Sequence, residues 1–89
     1  MLHERWALSG SVALRPEPFG ALAYDFTTRH LSFLKSPELV EVVRSLGSSA
    51  DVAAALISSG VPESEWSSYE KALRSLADSG MLTTEGVSS

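Results

Sequence analysis

Residues 12–35, VALRPEPFGALAYDFTTRHLSFLK, decide the fold because apolar and polar side chains alternate in three short runs, the pattern of half-buried strands. In the first run, residues 11–15, Val12 and Leu14 share one face. Pro16 and Pro18 are predicted to end this strand, since a proline cannot donate a hydrogen bond to a neighbouring strand. The short loops between the runs predict an antiparallel sheet of three strands.

The second run begins at Ala21 and places its large side chains on one face. Leu22, Tyr24 and Phe26 alternate with alanines and one aspartate. We therefore expect the aromatic face of this strand to lie in the core.

The third run, residues 30–35, carries apolar side chains on both faces. Leu31 and Phe33 share one face, whereas Leu34 lies on the other. A strand with one solvated face does not need a large apolar residue on that face, so we expect the first helix or the N-terminal arm to cover Leu34. The outer edge of this strand is predicted to be open.

Ser36-Pro37-Glu38 predicts the start of the first of three helices. A hydroxyl N-cap, a proline at the first helical position and an acid near the positive end of the helix dipole agree. Apolar side chains fill one broad arc of this helix up to Gly47, which predicts that the helix packs on the sheet.

Two more helices follow in the prediction. Residues 48–51 resemble a capping box and open a second helix that runs to Gly60. Residues 67–70, with the pattern Ser-x-x-Glu, form a capping box for the third helix, which Gly80 ends. The predicted class is α+β: a three-stranded antiparallel sheet followed by three helices in a winged helix-turn-helix-like arrangement.

The chain is interpreted as one domain, residues 1–89, with a core from about residue 6 to residue 82. Trp6 is predicted to pack across one end of the core because an indole removes a large apolar area from water. Met81 and Leu82 are predicted to fold back on the third helix. Residues 83–89 are expected to form a flexible polar tail.

Composition excludes several classes of protein. The 89 residues are 44% hydrophobic and 20% charged, with no cysteine and a net charge of −4, so disulfides and thiolate metal sites are not expected. No apolar run is long enough to span a membrane and the N-terminus resembles no signal peptide, which predicts a cytoplasmic protein without a membrane partner. The negative charge opposes binding to nucleic acid.

The sequence offers no catalytic or metal-binding constellation. His3 and His30 are the only histidines, and no cysteine accompanies them. No nucleophile stands with a base, and the glycines are scattered rather than grouped into a phosphate-binding loop. We therefore predict that the protein is not an enzyme and holds no metal or cofactor.

Two alternatives stay open on the residues alone. Three helices beside a small sheet also describe a winged helix-turn-helix DNA-binding regulator, whose last helix reads the major groove. Four acids against two bases between residues 62 and 80 oppose that function. The other alternative is a dimer formed through the open strand edge, so we expect a monomer or a weak dimer.

Three segments carry a resemblance to a known family: VALRPEPFGALAYDF at residues 12–26, RHLSFLKSPELVEVVRSL at residues 29–46 and YEKALRSLADSGML at residues 69–82. The chain resembles the peptide-chaperone family of the mycofactocin biosynthetic system, one of the RiPP recognition elements that include the pyrroloquinoline quinone peptide chaperone. The resemblance runs from residue 6 to residue 82.

The resemblance implies a noncatalytic chaperone for the leader of a ribosomally made precursor peptide. The leader would add as a strand beside the third strand, in the cleft against the third helix, and the chaperone would present it to a radical S-adenosylmethionine (SAM) maturase. The predicted peptide-binding residues are His30, Leu31, Ser32, Phe33, Leu34, Lys35, Tyr69, Leu73, Arg74 and Leu76.

Leaders of this family are acidic, so basic side chains near the predicted cleft are candidates for charge steering. These are Arg15, Arg29, Lys35 and Arg74. Arg74 is equally expected to pair with Glu70, four residues earlier on the third helix.

Overall fold

The computed structural model describes residues 1–84. Their order is β1 (Trp6–Leu8), β2 (Val12–Glu17), β3 (Gly20–Asp25), β4 (Leu31–Leu34), α1 (Pro37–Ser45), α2 (Val52–Ser58), α3 (Trp66–Asp78) and β5 (Leu82–Thr84). Single 3₁₀ turns precede α2, at Leu46–Ser48, and α3, at Glu63–Glu65.

The strands β2, β3 and β4 form the predicted antiparallel sheet, in that spatial order. Leu14 of β2 lies opposite Ala23 of β3, which in turn lies opposite Ser32 of β4. The α+β class is confirmed. The winged helix-turn-helix-like arrangement stays a prediction.

Pro16 does not end β2, contrary to the prediction, because the strand continues through it to Glu17. Glu17 pairs with Gly20 across a two-residue hairpin at residues 18–19. The pair that closes such a hairpin is hydrogen-bonded, so the next pair, Pro16 with Ala21, is not. The nitrogen of Pro16 then faces the free side of an edge strand, where the missing N–H costs no bond within the sheet.

The predicted core face of β3 is wrong. Ala21, Ala23 and Asp25 are buried, whereas Leu22 and Tyr24 lie on the opposite face and are only half-buried. Helix α1 packs on β3, and the small side chains of the alanines allow its close approach. The aromatic face of the strand therefore points away from the helices.

The two faces of β4 also differ in burial. Leu34 is buried, whereas Leu31 and Phe33 are exposed. Helix α1 packs on β4 as well as on β3, which confirms the prediction that an additional element covers Leu34.

The core lies between the inner face of the sheet and the three helices. Its largest fully buried side chains are Leu34, Leu46, Leu56, Leu73, Met81, Val42, Val43 and Val52. Trp6 packs against this cluster from the N-terminal arm, as predicted.

The N-cap of α1 is confirmed, because the amide of Leu39 donates to Oγ of Ser36 at 3.1 Å. The N-cap of α2 is Asp51, the last residue of the predicted box and not the first. Its Oδ1 accepts from the amide of Ala54 at 2.8 Å. The capping box predicted at residues 67–70 is wrong. Helix α3 begins at Trp66, directly after a 3₁₀ turn, without a capping side chain.

The end of α3 agrees with the prediction. Gly80 adopts a left-handed conformation with a φ of 82°, and the amide of Met81 donates to the carbonyl of Leu76 at 2.9 Å. Met81 and Leu82 are both buried.

Strands β1 and β5 form a second, two-stranded antiparallel sheet that the sequence did not predict. Thr83 lies opposite Ala7, and Thr84 lies opposite Trp6. The first two residues of the predicted tail are thus part of a strand. Residues 85–89 lie outside the described residues.

Candidate functional site

Strand β4 pairs only with β3 in the described part of the chain, so its other edge is open. The amide of Asp25 donates to the carbonyl of His30 at 3.0 Å. Hydrogen-bonded and non-hydrogen-bonded pairs alternate from there along the antiparallel ladder. The backbone groups of Ser32 and Leu34 therefore face β3, and those of Leu31 and Phe33 face the open edge.

A groove of about 180 Å³ lies at the end of β4, between the start of α1 and the first turns of α3. We call it the α3 groove, and its lining residues are Lys35, Ser36, Leu39, Ser68, Tyr69 and Ala72. The lining surface is mostly apolar, although Lys35 and three hydroxyl-bearing residues belong to it. Such a groove accepts apolar side chains and fixes them with a few polar contacts.

The outer face of β3 and β4 is apolar and partly aromatic, whereas β2 adds the Arg15–Glu17 ion pair to the same face of the sheet. Register places Leu22 beside Phe33, and Tyr24 beside Leu31. Phe33 and Leu31 are 61% and 56% exposed. A contiguous exposed apolar surface on a small domain marks an interaction site more often than isolated exposed residues do.

An aromatic pair stands at one end of this outer face. The rings of Phe19, in the β2–β3 hairpin, and Phe33, on β4, meet edge to face with centroids 5.9 Å apart. Together with Lys35 they line an open hollow of about 420 Å³, here called the aromatic shelf. Lys35 also borders the α3 groove, so the shelf and the groove meet at this residue.

Asp25 organises the loop that leads into β4. Its Oδ1 accepts from Oγ of Ser11 at 2.9 Å and from the amides of Thr27 and Thr28 at 2.9 and 3.3 Å. These bonds, first of all the one from the Thr27 amide, hold the pKa of Asp25 below its ordinary value, although burial opposes the shift. The carboxylate thus fixes the chain just before the open edge.

The predicted charge-steering residues differ in their surroundings. Arg15 pairs with Glu17 at 3.6 Å and Arg74 with Glu70 at 3.1 Å, so the expected alternative for Arg74 is confirmed. Arg74 also lines a separate hollow with N-terminal residues such as Met1. It lies outside the α3 groove.

Lys35 and Arg29 are exposed, and neither belongs to an ion pair found within residues 1–84. Arg29 has a φ of 65° and lies in the loop before β4, which starts at Leu31. These two cations therefore lie at opposite ends of the open edge.

The structure brings part of the predicted site together. His30, Leu31, Ser32 and Phe33 lie on or next to the open edge, and Lys35 and Tyr69 line the α3 groove. The other predicted apolar residues belong to the core and are not available to a ligand: Leu34, Leu73 and Leu76.

Sequence reasoning missed two parts of the site. One is the far wall of the groove, formed by Leu39, Ser68 and Ala72. Ala72 follows Tyr69 by three residues and therefore lies on the same face of α3, which is the signal that could have found it. The other is Phe19, whose place beside Phe33 depends on the two-residue hairpin and on the true faces of the strands.

Within residues 1–84, no group of histidines and acids is arranged to hold a metal ion. No helix in this range has both the length and the apolar character needed to cross a membrane.

The sequence profile of the Peptide chaperone MftB family matches residues 5–83. The chain belongs to this family. The match covers the open edge, the α3 groove and the aromatic shelf together. The name of the family designates peptide chaperones and not enzymes, in agreement with the prediction.

Curated relatives carry the same name. Peptide chaperone MftB of Mycobacterium ulcerans is 51% identical over 80 residues, which cover 90% of this chain and 73% of the relative. The Mycolicibacterium smegmatis protein is 51% identical over 77 residues, covering 86% of this chain and 76% of the relative. The Mycobacterium tuberculosis protein is 47% identical over 77 residues, covering 86% and 71%. No solved structure matches the chain at a significant level.

Proposed function

We propose that this peptide chaperone binds the leader of a ribosomally made precursor peptide as an added strand on β4 and delivers it to a radical SAM maturase in mycofactocin biosynthesis. The observation that carries the proposal is the open edge of β4, which leads directly into the α3 groove. The family membership supports a peptide as the ligand.

Strand addition fits the backbone chemistry of this edge. Leu31 and Phe33 direct their N–H and C=O groups outward, and a peptide strand would satisfy them. Main-chain bonds of this kind supply affinity without sequence preference. Specificity then comes from pockets for alternate side chains.

The α3 groove is the natural pocket for one set of these side chains. An added strand presents every second residue on the inner side of the sheet, where the side chains of Leu39 and Tyr69 lie beyond the end of β4. Lys35 lies at the mouth of this groove. An acidic leader would meet its amine there.

Titration calorimetry with a synthetic peptide tests the binding step. The peptide carries the leader of a mycofactocin precursor, and a scrambled peptide of the same composition is the control. We expect micromolar or tighter binding of the leader alone. Equal affinity for both peptides would reduce the interaction to charge attraction, and no binding of either would refute the proposal.

Delivery to the maturase is tested separately by size-exclusion chromatography of the purified enzyme with the chaperone–leader complex. We expect the three components to elute together. A maturase that modifies the precursor at the same rate with and without the chaperone would contradict the delivery step but leave leader binding intact.

A further inference from the structure

The aromatic shelf lies on the opposite side of the β4 edge from the α3 groove. Phe33 and Leu31 project on the outer face of the sheet, whereas Leu34 projects inward. The backbone groups of Leu31 and Phe33 that face the open edge belong to the same residues whose side chains form the outer surface. A strand that bonds to this edge therefore passes directly beside the shelf.

Strand geometry then fixes what the shelf can contact. Successive side chains of an added strand point to opposite faces of the sheet. If one residue enters the α3 groove, its two neighbours point outward, next to the outer face. Side chains directly opposite one another on neighbouring strands lie about 5 Å apart at their Cβ atoms, so a large side chain in the added strand reaches Phe33.

The surroundings of the shelf favour a particular kind of side chain. Phe19 and Phe33 offer ring faces and edges, and Phe19 remains 42% exposed in spite of its contact with Phe33. Contact with a bulky apolar side chain would remove more of both rings from water. Lys35 also lines the shelf, and its positive charge favours a carboxylate on a nearby residue of the same peptide.

We propose that the aromatic shelf is a second side-chain subsite, which takes bulky apolar residues from the outward-facing positions of the bound peptide strand. The inference rests on the proposed function, because the occupant is the strand added to β4. The chaperone then contacts both faces of the bound strand. Every second residue of the strand enters the α3 groove, and the residues that alternate with them contact the shelf. An acidic residue at the position where the strand passes Lys35 pairs with the amine of that side chain, which borders both surfaces.

Calorimetry with Phe19→Ala tests the shelf without altering the strand edge, because Phe19 lies in the β2–β3 hairpin and not on β4. We expect leader affinity to fall by about three- to tenfold, the loss of one aromatic contact. Ile57→Ala is the control, since Ile57 is a large apolar residue that is 66% exposed on α2, away from the shelf. Its affinity is expected to equal that of the unchanged protein.

An alanine scan of the leader locates the partner residues. Positions whose replacement weakens binding to the unchanged protein, but not to Phe19→Ala, contact the shelf. We expect these positions to lie two residues apart and to alternate with the positions that couple in the same way to Tyr69→Ala in the groove. If the leader positions that couple to Phe19 and those that couple to Tyr69 are separated by an even number of residues along the peptide, they lie on the same face of the strand, and the proposed use of both faces is refuted.

The outcomes separate this inference from the proposed function. If the unchanged protein binds no leader, both fall together. If it binds and Phe19→Ala binds equally well, the leader uses the edge and the groove alone and the shelf is refuted. Should Phe19→Ala fail to fold by circular dichroism, Phe33→Ala carries the test from the other ring. A mass of two chains that the leader does not change would assign the shelf to a second copy instead.

Discussion

Asp25 holds the loop before β4 in place although it contributes nothing to the outer surface. It is only 2% exposed. Its carboxylate accepts hydrogen bonds from the hydroxyl of Ser11, in the loop before β2, and from the backbone amides of Thr27 and Thr28. The same bonds lower its pKa. Loop order and the protonation of Asp25 are therefore coupled.

The stability contributed by Asp25 is expected to depend on pH. Its folded pKa lies below the ordinary value of 3.8, so the contribution is complete above that value and is lost as the pH falls through the lowered folded pKa. Asp25→Asn should lower the free energy of unfolding at neutral pH, and the gap to the unchanged protein should close in acid. Urea denaturation across a pH series measures this.

Asp78→Asn is the control, because Asp78 is exposed on α3 and accepts none of the hydrogen bonds found within residues 1–84. A gap between Asp25→Asn and the unchanged protein that persists unchanged into acid would contradict the role given to the carboxylate.

Gly20 is required by a close approach of backbone to backbone. It has a φ of 149°, and a Cβ built there would overlap the carbonyl oxygen of Leu34 and lie 3.1 Å from the amide nitrogen of Ser36. We expect Gly20→Ala to lower the free energy of unfolding by about 2–4 kcal/mol. Gly10→Ala is the matched control, since nothing lies within 4 Å of a Cβ at that position. Thermal denaturation of both variants measures the difference in stability. Equal melting temperatures of Gly20→Ala and Gly10→Ala would contradict the predicted loss.

At the scale of elements, periodicity predicted the three strands of the main sheet and the three helices, but not which faces are buried. Both faces of β3 and β4 carry apolar residues, so the alternation of apolar and polar residues is compatible with burial of either face. The decisive feature was size: Ala21 and Ala23 admit α1, whereas Tyr24 does not. That is a property of packing between elements, which a single strand does not reveal.

The same limit applies to the candidate site. The open edge at residues 30–35 and the Tyr69 side of α3 were predicted from the sequence, and the structure places Lys35, at the end of that edge, in the α3 groove with Tyr69. Leu34, Leu73 and Leu76 were misplaced because their apolar character suits a core and a binding pocket equally well. Strands β1 and β5 are three residues each, too short for a period-two pattern to be recognised.

The ladder of β4 gives a prediction specific to that strand. Leu31→Pro removes an N–H that faces the open edge, whereas Ser32→Pro removes one that bonds to β3. We expect Leu31→Pro to fold and to bind the leader at least tenfold more weakly than Leu31→Ala, while Ser32→Pro loses roughly 2–4 kcal/mol of stability. Circular dichroism and calorimetry distinguish the two.

Leu31→Ala keeps the backbone N–H and removes the same side chain, so it isolates the contribution of the edge. Equal leader affinity of Leu31→Pro and Leu31→Ala would place the peptide elsewhere on the molecule.

At the scale of the whole molecule, charge is unevenly distributed. The chain carries a net charge of −4, so an acidic leader is repelled at long range and must be attracted locally. Arg15 and Arg74 are already paired with Glu17 and Glu70. Lys35, at the junction of the α3 groove and the aromatic shelf, is the cation best placed to attract the peptide.

Lys35→Ala is therefore expected to slow leader association by about two- to fivefold at low ionic strength, with the difference disappearing at high salt as the charges are screened. Stopped-flow association rates over a salt series measure this effect. Arg44→Ala is the matched control, because it removes the same charge from an exposed position on α1 that borders neither the groove nor the shelf. Equal slowing by both variants would show that the leader responds to total charge and not to the cation at the site.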